Sequence, residues 1–382
     1  MAKLLLRLLV ISGVLGLVLA LPVAGVAVAG LELGPYLVFP PRPAPSGMES
    51  WSWFGAGVIL ALILAPISPF LIWTYRARGI VRWWPIAAHP WPAWAAPSFL
   101  GLGFFWLIAW TRFPCFAGFQ KYTFTPLWLS FILCLNARLV RASGSCPLTH
   151  HPAWYAALFP LSALLWWMFE FLNRFAGNWS YENVEQFSAG EYALHCTLAF
   201  STVLPAFVAM QELVLSCPGF KSAFSGHAPA FKIPFRPLAF FAVLFSALGL
   251  FVLPAHPREF YPMLWLAPGL LFIGLQALVG EEHVLSASPR GDFSGLWSAA
   301  LAALACGFFW EMWNLHSLAR WVYHVPWVQR FRVFEMPLLG YGGYLPFGVE
   351  CAAFAGWLSV LMGVPAPGTK NSGDDPTVTS PS

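Results

Sequence analysis

The chain has 382 residues, of which 59% are hydrophobic, 17% aromatic and 9% charged, and it carries a formal net charge of +4. A soluble domain devotes about 25% of its residues to charge, so this composition excludes a water-soluble fold and implies an all-α, polytopic integral membrane protein. The basic residues fall in short loops between apolar runs, which argues against nucleic acid as a partner and for the bilayer.

In chain order, runs long enough to cross a bilayer as helices, about 20 residues each, are expected near 4–30, 53–75, 93–110, 124–141, 152–173, 191–215, 237–254, 262–280, 294–316 and 338–363. That gives about ten transmembrane helices. The first run has a basic start and an Ala27-Val28-Ala29 that resembles a signal-peptidase site. It is longer than a signal core and is read as a retained span. Residues 365–382 are polar and rich in Pro, Ser and Gly, and are expected to form a disordered tail. With the N-terminus inside, 12 Lys and Arg fall in inner loops and eight in outer loops, the bias that cytoplasmic loops show. Both termini are then cytoplasmic and the setting is the cell's inner membrane. Seven cysteines show no C-x-x-C or zinc spacing. No P-loop, G-x-G-x-x-G, H-E-x-x-H or G-x-S-x-G occurs. Nucleotide-driven and common hydrolytic chemistries lack support, and neither a metal nor a cofactor is implied.

Residues 93–222 and 233–364 read as two copies of one unit. "FTPLWLSFILCLNARL" (124–139) and "FYPMLWLAPGLLFIGLQALV" (260–279) share Phe-x-Pro, Leu-Trp-Leu and then an amide, Asn136 or Gln276. "WWMFEFLN" (166–173) and "FFWEMWN" (308–314) follow, with Glu170 and Asn173 displaced from Glu311 and Asn314 by 141 residues (311 − 170 and 314 − 173). Then come Trp179-x-Tyr181 and Trp321-x-Tyr323, a further glutamate (Glu191 or Glu335), and Leu204-Pro205 or Leu345-Pro346 trailed by Glu212 or Glu350. The predicted organisation is two N-terminal spans in 1–92, a four-helix repeat in 93–222, a parallel four-helix repeat in 233–364 and the tail. Internal symmetry with a site at the repeat interface is a recurring membrane plan. Aromatic belts at the membrane surface account for the Trp-x-Tyr pairs but not for the glutamates.

A carboxylate inside a span is costly, so such residues are functional candidates. Positions i and i+3 share a helix face, which places Glu170 with Asn173 and Glu311 with Asn314 toward one side, about a turn or two below the outer surface. A purely structural role, with Glu and Asn fastening neighbouring helices, is the competing reading. If the repeats face each other, one cavity receives both acids and both amides, with Trp167, Trp310 and Trp313 as its wall. Trp179, Tyr181, Trp321 and Tyr323 stand at its outer side. In "FEMPLLGYGGYLPFGVE" (334–350), Glu335 is a further catalytic candidate and Glu350 a lining one, and Pro346 should kink its span. Arg174 and Arg320 on the outer side read first as residues snorkelling to the interface, with holding Glu335 or Glu191 or gripping a phosphate headgroup as the other roles. His195, four residues on from Glu191, is a candidate partner for it. Glu281-Glu282-His283 reads as a solvated loop. An acid beside aromatic faces suits protonation of an alkene and passage of a carbocation.

The pattern Trp310-Glu311, Trp321 with Tyr323, and Leu345-Pro346 with Glu350 resembles the lycopene cyclase domain family, small integral membrane proteins that duplicate or pair a short helical unit. In place of that family's Pro followed closely by paired glutamates stands Pro346-Phe347-Gly348-Val349-Glu350. The resemblance implies a terpenoid-modifying membrane enzyme, a cyclase or isomerase acting on a hydrophobic lipid or polyprenoid such as a carotenoid, triterpenoid or hopanoid. Glu170 and Glu311 would be acid and cation stabiliser, in either order, oriented by Asn173 and Asn314. A transporter or lipid-binding protein using the same cavity is the alternative.

Overall fold

The computed structural model describes residues 2–41, 51–227 and 235–365. Long helices dominate: α1 Ala2–Val28, α2 Trp53–Arg76, α3 Ala95–Trp110, α4 Phe124–Ser143, α5 Pro152–Ala176, α6 Ala189–Phe200, α7 Val203–Leu215, α8 Phe235–Val252, α9 Pro262–Leu278, α10 Ser294–Asn314 and α11 Tyr344–Met362. The expected tail lies outside the described residues apart from Pro365. Among the described residues, seven stretches are long and apolar enough to cross a membrane: Lys3–Val28, Trp53–Gly79, Pro152–Ala176, Ala189–Leu215, Phe235–Val252, Ser294–Asn314 and Leu338–Met362. The apolar α3 and α9 are shorter, and α4 is not among the seven. A helix satisfies its own backbone polar groups, which is what a lipid environment demands. Large apolar side chains such as Leu62, Leu100 and Phe241 are more than 60% exposed, a surface that suits lipid and not water.

Two expectations are corrected. The 191–215 run is not one continuous helix. It breaks at Ser201–Thr202, where the Ser162 hydroxyl donates to Phe200 O (2.5 Å) and accepts the Leu204 N–H (3.0 Å). One hydroxyl thus ties both sides of the break. Pro346 does not kink a span either. It is the third residue of α11, after a 3-10 turn over Leu338–Gly343, where a missing N–H has no intrahelical acceptor to lose. Pro205 holds the same place in α7.

Among the described residues, four short strands add to the helices: β1 Trp179–Glu182, β2 Arg320–Tyr323, β3 Arg332–Val333 and β4 Met336–Pro337. β1 and β2 pair antiparallel with Trp179 opposite Tyr323 and Tyr181 opposite Trp321. Each Trp-x-Tyr therefore faces the other in reverse order, as two-fold-related copies would. The core repeats this reciprocity. Trp128 of α4 meets Trp310 of α10 at 5.0 Å between centroids, and Trp265 of α9 meets Phe169 of α5 at 5.5 Å. Phe169 and Trp310 are themselves 141 residues apart (310 − 169).

Loop contacts sort into two sets. At one end Arg7 pairs with Glu281 at 2.8 Å, the Arg82 N–H donates to Pro218 O, the His89 N–H to Arg141 O and the His227 N–H to Gly291 O. At the other, Arg174 donates to Tyr36 O and Val38 O, Arg112 to His316 O, Asn183 to Leu318 O, and the Ser52 N–H to Trp327 O. α10 and α11 approach closely at Gly348, where an added Cβ would lie 2.2 Å from Ala299 O.

Candidate functional site

Both motif helices end in a way that fixes the strands after them. α5 stops at Gly177 in the left-handed region, φ 61°. The Asn173 amide then donates to Trp179 O (2.9 Å) and accepts the N–H groups of Asn178 and Trp179 (2.8 and 3.3 Å). Asn314 repeats this on the other strand, donating to Trp321 O (2.7 Å) and accepting the Trp321 N–H (2.9 Å). The expectation that these asparagines orient the glutamates is therefore corrected. They clamp strand backbone to helix end, which aims the strand side chains.

What the strands aim are the partners of the acids. Glu170 Oε1 accepts from Tyr181 OH (2.5 Å), Trp179 Nε1 (3.1 Å) and Trp166 Nε1 (3.2 Å). Glu311 Oε1 accepts from Tyr344 OH (2.7 Å) and Tyr323 OH (2.8 Å). Residues i and i+2 of a strand point to one face, which is why Trp179 and Tyr181 both reach Glu170. The remaining donor comes from complementary places. Position 166 in the first half is Trp, whereas its counterpart 141 residues on is Gly307; position 203 is Val, whereas its counterpart is Tyr344. The Tyr344 ring lies where a Gly307 side chain would be, with an added Cβ 2.5 Å from its Cε2 atom. One half supplies the donor from the motif helix, the other from the facing helix.

These donors wall a single cavity of about 140 Å³. Trp166, Trp179 and Tyr181 come from the first half and Trp310, Tyr323 and Tyr344 from the second, with Trp265, Trp321, Phe124, Tyr122, Phe187, Tyr192 and Phe200 completing the aromatic lining. Gln120, Lys121, His195 and Arg320 add polar groups to it. Neither motif glutamate lines the cavity; each stands one side chain behind the wall. Glu170 is 3% exposed and Glu311 fully buried, with Glu311 Oε2 lacking a partner among the described residues.

Of the other expected residues, Trp310 is in the wall but Trp167 and Trp313 are not. Trp313 turns to Trp106, Trp128 and Phe131 in the core. Trp167 donates to Thr197 (3.0 Å) and, with Glu170 and Arg174, lines a separate cleft. Glu350 also misses the cavity. It lies six residues beyond Tyr344, about 9 Å further along the helix, packed against Gly269 with both oxygens unpartnered among the described residues. Glu335 is held by Arg320 at 2.8 Å, with Arg332 at 3.7 Å, outside the lining. Arg320 also binds Glu182 (2.9 Å), whereas Arg174 bonds loop carbonyls and neither expected glutamate. Glu191 caps α6 through Ser188, its carboxylate accepting from the Ser188 backbone N–H (2.9 Å) and hydroxyl (3.0 Å). His195 stacks on Tyr122 at 4.3 Å.

Sequence reasoning missed Trp166, Trp265, Tyr344 and Phe124 as lining. Trp265 and Phe124 stood inside the duplicated motif, and Trp166 is one helical turn before Glu170, on its face. No protein-family model, curated protein or solved structure matches the chain. The geometry alone must carry the functional reading.

Proposed function

We propose that this protein is an intramembrane enzyme that starts and steers carbocation chemistry on a terpenoid, as a cyclase or isomerase of carotenoid or triterpenoid substrates, hopanoids included. The observation that carries this reading is the convergence of two buried glutamates on one aromatic cavity through groups that form its wall, Glu170 through a phenol and two indoles and Glu311 through two phenols. A tyrosine backed by a carboxylic acid passes its own proton to an alkene carbon as it takes the acid's. A C–H bond forms and the neighbouring carbon becomes the cation. The ring faces of Trp166, Trp310 and Trp265 stabilise that charge, and a proton lost from an adjacent carbon leaves an isomer of unchanged mass. Pockets for whole drug-sized ligands measure about 300–1,000 Å³, and a cavity of ~150 Å³ holds benzene. The space here, about 140 Å³, suits the terminal segment of a long polyprenoid chain whose remainder lies in the bilayer.

The same reading takes the architecture as ten membrane passes, α6 and α7 together making one, with parallel repeats over 93–222 and 233–364 behind the two N-terminal helices. The two separate sets of loop contacts and the reciprocal Trp128–Trp310 and Trp265–Phe169 pairs support it. In the inner membrane, the end holding Arg7, Arg82 and Arg141 is cytoplasmic, following the basic bias. The alternative, a transporter or lipid-binding protein, uses the same cavity on an unaltered ligand.

Expression in a host that makes carotenoids and triterpenoids, with profiling of the extracted lipids, tests the proposal. A new isomer or ring-containing product should appear, and Glu170→Gln and Glu311→Gln should each abolish it while the protein still inserts. Gln keeps size and hydrogen bonding but cannot give up a carboxylic proton. Full conversion by either variant removes that glutamate from the mechanism. Vesicles that move a solute while every lipid stays unmodified would establish the transporter instead.

A further inference from the structure

The two glutamates differ in what lies behind them. Glu170 borders a second space, a cleft of about 320 Å³ formed with Trp167, Arg174, Tyr36 and Leu37. Its wall on the loop side is Tyr36, Leu37 and Phe39, a segment held by the Arg174 guanidinium, which donates to Tyr36 O and Val38 O, both at 2.8 Å. Arg174 sits one helical turn beyond Glu170 on the same face. The space is roomy enough for several waters, and the Glu170 carboxyl and the Arg174 guanidinium are the polar groups they would meet among aromatic and aliphatic side chains. Glu311 borders neither space; it is fully buried and its Oε2 is enclosed without a partner among the described residues.

The oxygens of Glu170 divide the same way. Oε1 is occupied by three donors belonging to the cavity wall, which leaves Oε2 as the oxygen available to the cleft. The other titratable groups near this carboxyl are Tyr181 on β1, Arg174 on its own helix, and Tyr192 and Cys196 on α6.

We infer that the cleft is the proton inlet of Glu170, making Glu170 the acid renewed from water at each turnover and Glu311 a sealed group that steers the cation without exchanging its own proton. The assignment rests on the enzymatic reading above. In the cycle, Tyr181 gives its own proton to the alkene and takes the acid proton of Glu170. The carboxyl turns so that the proton loaded at Oε2 meets the phenol oxygen, and the product-forming cation loses a proton to water at the cavity mouth. Water in the cleft then returns one to Glu170. No proton is gained or lost overall, and no oxidant or reductant is needed.

The test uses access and no turnover, so it stands whether or not a terpenoid product is found. The full chain in lipid nanodiscs is treated with a water-soluble carbodiimide and an amine, and each modified glutamate is quantified by peptide mass spectrometry. The exposed Glu185 serves as reference. Glu170, 3% exposed, should react more slowly than Glu185 but at least tenfold faster than Glu311. Leu37→Trp, which fills the cleft from its exposed loop, should slow Glu170 tenfold or more and leave Glu185 unchanged. An unreactive Glu170, a Glu311 that reacts as fast, or a Leu37→Trp variant with unchanged Glu170 labelling would each overturn the inlet. Loss of conversion in Glu170→Gln with such a labelling result would leave the enzymatic reading intact and remove only the route.

Discussion

Replacing Gly307 by Ala should disarm Glu311 without touching it. The new methyl would lie 2.5 Å from Tyr344 Cε2 and 2.6 Å from Cδ2, where ordinary contact begins at 3.4 Å. The ring must therefore retreat by about 0.9 Å (3.4 − 2.5). Its hydroxyl now sits 2.7 Å from Glu311 Oε1, and the same displacement along the bond stretches that to about 3.6 Å, past the limit of a hydrogen bond. Overpacking costs about 1–3 kcal/mol of stability. The lost bond, if it matters to the charged transition state, is worth about 1.5–3 kcal/mol, or roughly ten- to a hundredfold in rate. Thermal unfolding in detergent and product formation read the two effects separately. Tyr344→Phe removes the hydroxyl without the clash, so it should reproduce the loss of product with little loss of stability. The double variant should form product no worse than Gly307→Ala alone, because both act through one contact. Wild-type conversion by Tyr344→Phe, with conversion lost in Gly307→Ala, would show that packing and not the Glu311 bond is what Gly307 protects.

Asn173→Ala and Asn314→Ala should each release the paired β1–β2 ribbon, at about 1–3 kcal/mol for the buried backbone groups left unpaired; equal stability in thermal unfolding would deny them the clamp role. Cysteines placed at 185 and at 290 should label from opposite sides of the membrane, the first from outside, and labelling of 290 alone by an impermeant reagent from outside would invert the orientation. Gly348→Ala should destabilise the α10–α11 contact by about 1–3 kcal/mol, since its methyl would meet the Ala299 carbonyl at 2.2 Å, and a variant as stable as wild type would show that the two helices can separate freely.

Hydropathy located helices because apolar length is a property of the sequence alone, and every expected run contains one. It could not show the break after Phe200, since that rests on a hydroxyl 38 residues away at Ser162. The motif spacing made Glu170 and Glu311 legible as a pair, but their surroundings were read on helical geometry only. Trp179 and Tyr181 looked like interfacial aromatics; as strand residues two apart they share a face, and that face is the one toward Glu170. The Glu–Asn spacing misled in the same way. It places both side chains on one side of the helix, yet Asn173 is near enough to the helix end that unsatisfied backbone groups beyond Gly177 claim it. Local pattern fixed which residues were unusual. Which neighbours they met depended on strands and turns that composition does not announce.

The exchange of Trp166 and Val203 for Gly307 and Tyr344 bears on how two similar acids come to differ. A donor arriving from the motif helix, as Trp166 does, leaves the flank of Glu170 toward Tyr36 and Arg174 unfilled by any residue of the second half. A donor arriving from the facing helix, as Tyr344 does, draws α11 against α10 and needs glycine at 307 and at 348 to let it come so close. The tighter approach is what encloses Glu311. Symmetry in the hydrogen bonds to each Oε1 is thus compatible with asymmetry behind them, and one substitution pair at equivalent positions is enough to give one carboxyl a route to water and deny it to the other.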